Sequence, residues 1–341
     1  LTHGNLLSNA RTLLRHWDWR SDDCLVHALP IFHIHGLFVA SHCALLSGTP
    51  MRWLGKFDAA AVLAQIQDTT SPRASVFMGV PTMYGRLLQQ ERLNARLTAH
   101  MRLFVSGSAP LSMAAFDQFA HRTGHTILER YGMSETIMLT SNPYGGDARH
   151  GGQSERRGST VGFPLPGVGL RVVDDAGKAL PVGEIGNIQV QGPNVFKGYW
   201  RMPEKTKEEF SADGWFKTGD VGKVDERGYV SIVGRSKDLI ISGGYNVYPA
   251  EIESAINDMP GVAESAVVGV PHPDFGEVGV AVVIAKPGAK LDGDAILAQL
   301  KSQLANFKIP KRCFVATELP RNTMGKVQKN LLREQHKGLF A

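Results

Sequence analysis

The chain has 341 residues, room for about two domains at roughly 150 residues each. Lys and Arg number 37 against 32 Asp and Glu, and this net charge of +5 is spread along the chain, so no basic stripe marks a nucleic-acid binder. Hydrophobic residues make up 43% and charged residues 20%, which excludes a disordered chain, and the longest apolar run, 278–285, falls far short of the ~20 residues that span a bilayer.

Helices are predicted over 5–16, 38–46, 58–67, 82–89 and 112–123. Short buried strands at 24–29, 75–78 and 103–105 alternate with them. That alternation argues an α/β fold with a parallel sheet and crossover helices. The stretch 145–159 is rich in Gly, Arg and Ser and reads as an exposed loop. From 160 to 234 the signals are β: 170–173, 185–191 and 229–233 alternate, with turns at 175–177 and 226–228, giving a small antiparallel barrel or sheet. The remainder has its own βα pattern, with helices at 249–258, 294–304 and 327–335 and strands at 262–270, 278–285 and 313–316. It reads as a small α+β domain, with the boundary expected near 234–238. The three cysteines, Cys24, Cys43 and Cys313, show no C-x-x-C spacing, so neither a disulfide framework nor a zinc site is expected and a reducing, cytoplasmic compartment fits. No signal or transit peptide is read at the start. The chain opens Leu1-Thr2-His3-Gly4-Asn5 without Met, and its natural start is expected upstream.

Five segments carry residues suited to chemistry. Ser106-Gly107-Ser108-Ala109-Pro110-Leu111 follows a buried strand, where small residues let a flat ligand lie on the backbone at a strand's carboxyl end; an ordinary Gly/Pro turn reads the same way. Tyr131-Gly132-Met133-Ser134-Glu135-Thr136 gathers a ring to stack on a base, hydroxyls for phosphate and a carboxylate for Mg²⁺; the alternative is a helix start capped by Ser134. Asp220, placed on a loop in Gly214-Trp215-Phe216-Lys217-Thr218-Gly219-Asp220, is able to accept ribose hydroxyls or to serve as a turn aspartate. Arg235, Lys237 and the Gly243-Gly244 pair sit at the expected boundary, as a hinge or as a surface linker. Lys326, after Gly325 on a loop, is able to bring a point charge to a developing anion or simply to face solvent.

In order and spacing these segments closely resemble the acyl-adenylate-forming superfamily, which includes acyl-CoA synthetases, peptide-synthetase adenylation domains and firefly luciferase. The likeness runs from Leu1 to Leu339. Within it, Leu29-Pro30-Ile31-Phe32-His33-Ile34-His35-Gly36-Leu37-Phe38, Glu129-Arg130-Tyr131-Gly132-Met133 and the run 192–207 are similar to malonyl-CoA synthetases. The resemblance implies a large AMP-binding portion over 1–236, with a β-rich part at about 160–234, and a mobile lid domain over 237–341. It implies that ATP activates a carboxylate as an acyl-adenylate, with Mg²⁺, and that coenzyme A then displaces AMP. Ser108, Ala109 and Pro110 would line the adenine, with Tyr131 against its face and Gly132 and Met133 beside it. Ser134 and Thr136 would lie by the phosphates, Glu135 would hold Mg²⁺, and Asp220 and Arg235 would take the ribose. Lys237 would be the hinge, Gly243 and Gly244 would face the pantetheine tunnel, and Lys326 would contact the reacting carboxylate and α-phosphate. The partners implied are small molecules, with no nucleic acid, no membrane span and no carrier domain.

Two departures stand out. Ser134 replaces the family's usual Thr, keeping the hydroxyl. The Ser/Thr/Gly-rich loop that cradles the β- and γ-phosphates lies, in the family, just ahead of Leu-Thr-His-Gly-Asn; the chain is therefore expected to be an N-terminally truncated enzyme with weak or no adenylation by itself.

The residue before Tyr-Gly lines the acyl pocket in the family, and here it is Arg130. A guanidinium in a pocket is costly to desolvate unless it meets an anion, and it pairs bidentately with carboxylate. Malonate supplies that anion; methylmalonate also fits. His33 and Ile34 are the matching positions on the first motif, and Ser106 borders the pocket. In the competing arrangement Arg130 turns away to Glu129 or Asp147. Competing functions are a short- or medium-chain monocarboxylate:CoA ligase and an inactive nucleotide-binding fragment.

Overall fold

A computed structural model describes residues 1–145, 155–322 and 325–340. The chain opens with α1 (His3–His16), capped by Thr2, whose hydroxyl accepts from the Asn5 N–H. Then come β1 (Leu25–His27), a π-helix (His35–Ser41) running into α2 (His42–Ser47), β2 (Met51–Trp53), α3 (Ala59–Gln67), β3 (Val76–Gly79), α4 (Pro81–Leu88), α5 (Ala95–Thr98), β4 (Leu103–Ser106), α6 (Met113–Thr123), β5 (Leu128–Met133), β6 (Ile137–Ser141) and β7 (Phe163–Pro164). Asp58 and Ser112 cap α3 and α6, and Gly124 at φ +74° ends α6.

These strands form one sheet in the order β2-β1-β3-β4-β5-β6-β7. β2 through β5 run parallel, and β5–β6 and β6–β7 are antiparallel. β1, β3 and β4 are short and buried along their length because helices cover both faces, while the edge strand β2 is partly exposed. Val26, Phe77 and Phe104 point to the side of α3, α4 and α6, where they meet Leu63, Tyr84 and Phe119. The alternate residues Leu25, Val76, Met78, Val105 and Leu128 point to the side of α1, the π-helix and α2, where they meet Leu13, Val39 and Cys43. The period of two along each strand thus divides the core into two layers.

A second sheet, in the order β11-β10-β9-β8, is built from β8 (Gly169–Val173), β9 (Gly186–Gln191), β10 (Phe216–Val224) and β11 (Val230–Arg235), with α7 (Pro203–Glu209) in the connection before β10. β8 and β9 pair antiparallel. The expected antiparallel module is therefore a four-stranded sheet.

After a 3₁₀ turn at Ser236–Asp238 come β12 (Ile240–Ser242), β13 (Tyr245–Val247), α8 (Pro249–Asn257), β14 (Val262–His272), β15 (Gly276–Ala285), α9 (Gly293–Leu300), β16 (Arg312–Ala316) and α10 (Lys329–His336). Their sheet runs β13-β12-β15-β14, with β16 parallel to β15. Ile252, Ile256 and Leu300 cover one face, and Leu319 and Leu332 the other.

The chain divides into two compact units, Leu1–Thr218 with Gly222–Ile232, and Gly219–Val221 with Val233–Ala341. Asp220 does not lie on a loop: it sits within β10, whose alternation of buried and exposed residues the glycines at 214 and 219 obscure. The 131–136 motif opens no helix; it closes β5 and turns into β6. Gly243 and Gly244, read as a flexible loop, are the two central residues of the β12–β13 hairpin, at φ +57° and +83°. Only glycine takes both angles without strain, which is the requirement of a two-residue hairpin turn. The loop expected over 145–159 lies mostly outside the described residues.

Candidate functional site

The carboxyl ends of the parallel strands gather the first group of candidate residues, as open α/β sheets do. β4 ends at Ser106, which is fully buried with no partner for its hydroxyl among the described residues. Gly107 follows, and a Cβ built there would run into the Arg130 guanidinium from β5, so only glycine lets that side chain lie across the backbone. Ser108 is held at φ +72°, an uncommon angle for a residue with a side chain, and its hydroxyl lies 3.4 Å from Nδ1 of His35. His35 opens the π-helix, and its backbone N–H donates to Nδ1 of His33 at 3.2 Å. Ile34, between them, packs on the core of that face. Ala109 and Pro110 are exposed.

Arg130 is 3% exposed. Neither Nε nor Nη2 has a hydrogen-bond partner, and among the described residues no carboxylate pairs with it. Burial pushes the guanidinium down to about 9, partly countered by Tyr84, so it remains charged at neutral pH. The competing pair with Glu129 does not form. Successive residues of a strand point to opposite faces, and Glu129 goes the other way, where an oxygen accepts from the Leu111 N–H at 3.4 Å. Its other oxygen is unpartnered, and burial pushes the carboxyl up to about 8, against the Leu111 and Ser159 amides. Asp147 lies outside the described residues. His35 is held well below its ordinary value, first by burial and then by the nearby Arg130 charge, so it is a neutral imidazole. Its Nε2 is buried without a partner. Within the 29–38 motif the sequence marks His33 and Ile34 but not His35; the π-helix, a turn geometry common at functional sites, distinguishes it.

The second group lies on the turn between β5 and β6. The register shifts between Tyr131 and Gly132, and a Cβ on Gly132 would strike the carbonyl of Ile137. Ile137 itself is buried at φ +59°, a strained angle for a β-branched residue. Tyr131 and Met133 are partly buried against the core of the second sheet. Ser134 is exposed, and Thr136 is fully buried with no partner for its hydroxyl among the described residues. The carbonyl of Thr136 accepts from Nδ2 of Asn194 at 2.7 Å, and that same nitrogen donates to Met138 O at 3.0 Å. Asn5 of α1 in turn donates to the carbonyls of Pro193 and Val195. Tyr199 donates its phenol hydrogen to Oε1 of Glu135 at 3.0 Å. Asn5, Asn194 and Tyr199 lie far from the motif in sequence, so nothing local announces them.

The second compact unit carries the third group. Asp220 is buried, and one of its oxygens accepts from Nε of Arg235 at 3.0 Å, while the Ser236 hydroxyl donates to Gly219 O at 3.0 Å. Lys237 is exposed on the 3₁₀ turn. Lys326 is exposed on a turn closed by its N–H to Oδ1 of Asn322 at 3.0 Å and by its carbonyl to the Asn322 N–H.

A glycine follows the end of β4, a buried cation lies across it, a turn bearing hydroxyls and a carboxylate closes β5, and the chain belongs to the AMP-binding enzyme family. That family matches residues 1–200, and the AMP-binding enzyme C-terminal domain matches 251–326. The chain is 39% identical over 359 residues to the malonate–CoA ligase of Arabidopsis thaliana, covering 98% of this chain and 57% of that protein. It is 38% identical over 338 residues to a feruloyl-CoA synthase of Amycolatopsis, covering 98% of this chain and 66% of that protein. Among solved structures, ATP-bound MatB from Rhodopseudomonas palustris superposes with a TM-score of 0.93 at 56% identity, covering 100% of this chain and 65% of that one. The chain thus spans between 57% and 66% of the length of these relatives. Among the described residues no helix is long and apolar enough to cross a membrane.

Proposed function

We propose that the chain carries the site of an ATP-dependent malonate:CoA ligase that works through a malonyl-adenylate and releases AMP. The observation that carries this reading is the buried, charged guanidinium of Arg130, which meets no carboxylate among the described residues and leaves Nε and Nη2 without a hydrogen-bond partner there. A buried cation costs several kcal/mol until an anion meets it. The second carboxylate of malonate, one methylene from the reacting one, supplies that anion and suits the planar fork of the side chain. Butyrate or an aromatic acid would leave the charge uncompensated, which weighs against a monocarboxylate ligase despite the likeness to a feruloyl-CoA synthase. Neutral His35, close enough to feel the Arg130 charge, adds an uncharged polar group that does not repel it.

The remaining roles follow from this reading. Ser108, Ala109, Pro110 and Tyr131 enclose the adenine, with Gly132 and Met133 shaping the turn that follows. Ser134 and Thr136 offer hydroxyls to the phosphates. Asp220, oriented by Arg235, accepts the ribose hydroxyls. Lys326 sets its charge against the oxygens that become anionic as the carboxylate attacks the α-phosphate. The second unit acts as the mobile lid, with Lys237 at its hinge and Gly243 and Gly244 along the pantetheine path when the thiol of coenzyme A displaces AMP.

The residues at the turn suit a magnesium ion: Tyr199 engages one oxygen of Glu135, and among the described residues the other carries no donor. Magnesium takes few protein ligands and completes its shell with phosphate and water, so one carboxylate is a sufficient protein contribution. When bound, the ion neutralises charge on the phosphate oxygens.

The test is product analysis. The full-length protein given ATP, Mg²⁺, coenzyme A and malonate is expected to yield AMP, pyrophosphate and malonyl-CoA by mass spectrometry. Equal or faster thioester formation from propionate or butyrate would overturn the malonate assignment in favour of a monocarboxylate ligase.

A further inference from the structure

We propose that Tyr199 is a positioning residue that fixes the Glu135 carboxylate for its metal, acting as half of a two-point clamp that the segment 196–199 places on the turn. The inference rests on the reading of Glu135 as the magnesium-holding residue and goes beyond it. The backbone N–H of Phe196 donates to the carbonyl of Glu135 at 2.8 Å, and the phenol of Tyr199 donates to its Oε1 at 3.0 Å. One bond fixes the main chain of the acid, and the other fixes the rotation of its side chain.

The clamp is itself anchored. Phe196 is buried among Phe210 and Phe216, and the Tyr199 ring meets it edge-on at 4.9 Å between centroids. The Tyr199 N–H donates to the Thr206 hydroxyl at 2.9 Å, and that hydroxyl donates to Met202 O at 2.9 Å. Gly198, at φ +146°, lets the chain pass where a Cβ would strike Thr206. A carboxylate with one oxygen held by a neutral donor presents the other in a single direction. That is the arrangement by which outer partners raise metal affinity, and removing such a partner typically costs about 10–100-fold in that affinity.

The experiment is calorimetric titration of ATP into the full-length protein, once with Mg²⁺ and once with EDTA, for the wild type, Tyr199→Phe and Glu135→Gln. The ratio of the two affinities is the magnesium-dependent gain. Tyr199→Phe, which keeps the ring against Phe196, is expected to lower that gain about tenfold while leaving the affinity in EDTA and the melting temperature unchanged. Glu135→Gln is expected to lower it at least as far. A Tyr199→Phe ratio equal to that of the wild type, or a loss that falls equally on both affinities, would overturn the clamp while Glu135→Gln still reports on the metal-holding role. A Glu135→Gln ratio equal to that of the wild type, or no magnesium-dependent gain in the wild type, would remove the underlying reading and the clamp with it.

Discussion

Glu129 and Arg130 are neighbours in sequence with opposite charges, yet both are buried and among the described residues they do not pair, because β5 sends them to opposite faces. This has a measurable consequence for Glu129. Its carboxyl titrates at about 8 in the folded chain against an ordinary 4.5, so between those values the folded state holds a proton that the unfolded state has lost. Stability is therefore expected to fall as pH rises from about 4.5 to 8, with this residue's effect complete above that window. Glu129→Gln should flatten that part of a plot of melting temperature against pH. A slope unchanged by the substitution would show that Glu129 is ionised within the fold. Gly107 makes a second case. Gly107→Ala should push the Arg130 side chain off the strand end, raising KM for malonate about tenfold or more with little change in melting temperature. An unchanged KM would show that the guanidinium does not need that backbone.

At the scale of the element, the turn from β5 to β6 is the part most dependent on its surroundings. Ile137 is held at a strained angle, the bulge at Gly132 has no room for a Cβ, and Asn194 supports two of the carbonyls from outside. Gly132→Ala should destabilise the fold by about 3 kcal/mol, at the upper end of overpacking, and Asn194→Ala by about 1–3 kcal/mol through the buried carbonyls it abandons. Chemical denaturation measures both, and a loss below about 0.5 kcal/mol in either variant would mean that the turn holds itself. Such turns are poorly legible in sequence. Most of the alternating strands and helices up to α6 could be read because their apolar residues recur at the periods of the elements, and caps such as Asp58 and Ser112 stand where they are needed; β2 and α5, at 3 and 4 residues, are too short to show a period. β10 could not, since Gly214 and Gly219 signal a loop while tertiary pairing makes a strand. The β12–β13 hairpin was hidden in the same way, because Gly243-Gly244 suits a flexible linker as well as a tight turn. For the site, the motif residues were legible as a set only through their resemblance to a family. The buried Asn5, Asn194 and His35 and the half-buried Tyr199 answer to contacts across the fold that no local pattern records.

For the whole molecule, the separate cores matter most. Leu63, Tyr84 and Phe119 belong to one compact unit, and Ile252, Leu300 and Leu332 to the other. Each unit has a sheet covered by its own helices, so calorimetric unfolding is expected to show two transitions rather than one. A single transition with equal calorimetric and van't Hoff enthalpies would show that the units melt together. In the large unit, the buried Arg130 guanidinium meets no carboxylate among the described residues. The ratio of kcat/KM for malonate to that for butyrate, in the full-length protein and its Arg130→Ala variant, probes that charge directly. Removing the buried partner of a carboxylate should lower the ratio at least about 30-fold. A ratio within a few-fold of the wild type would contradict the assignment of Arg130 to the second carboxylate.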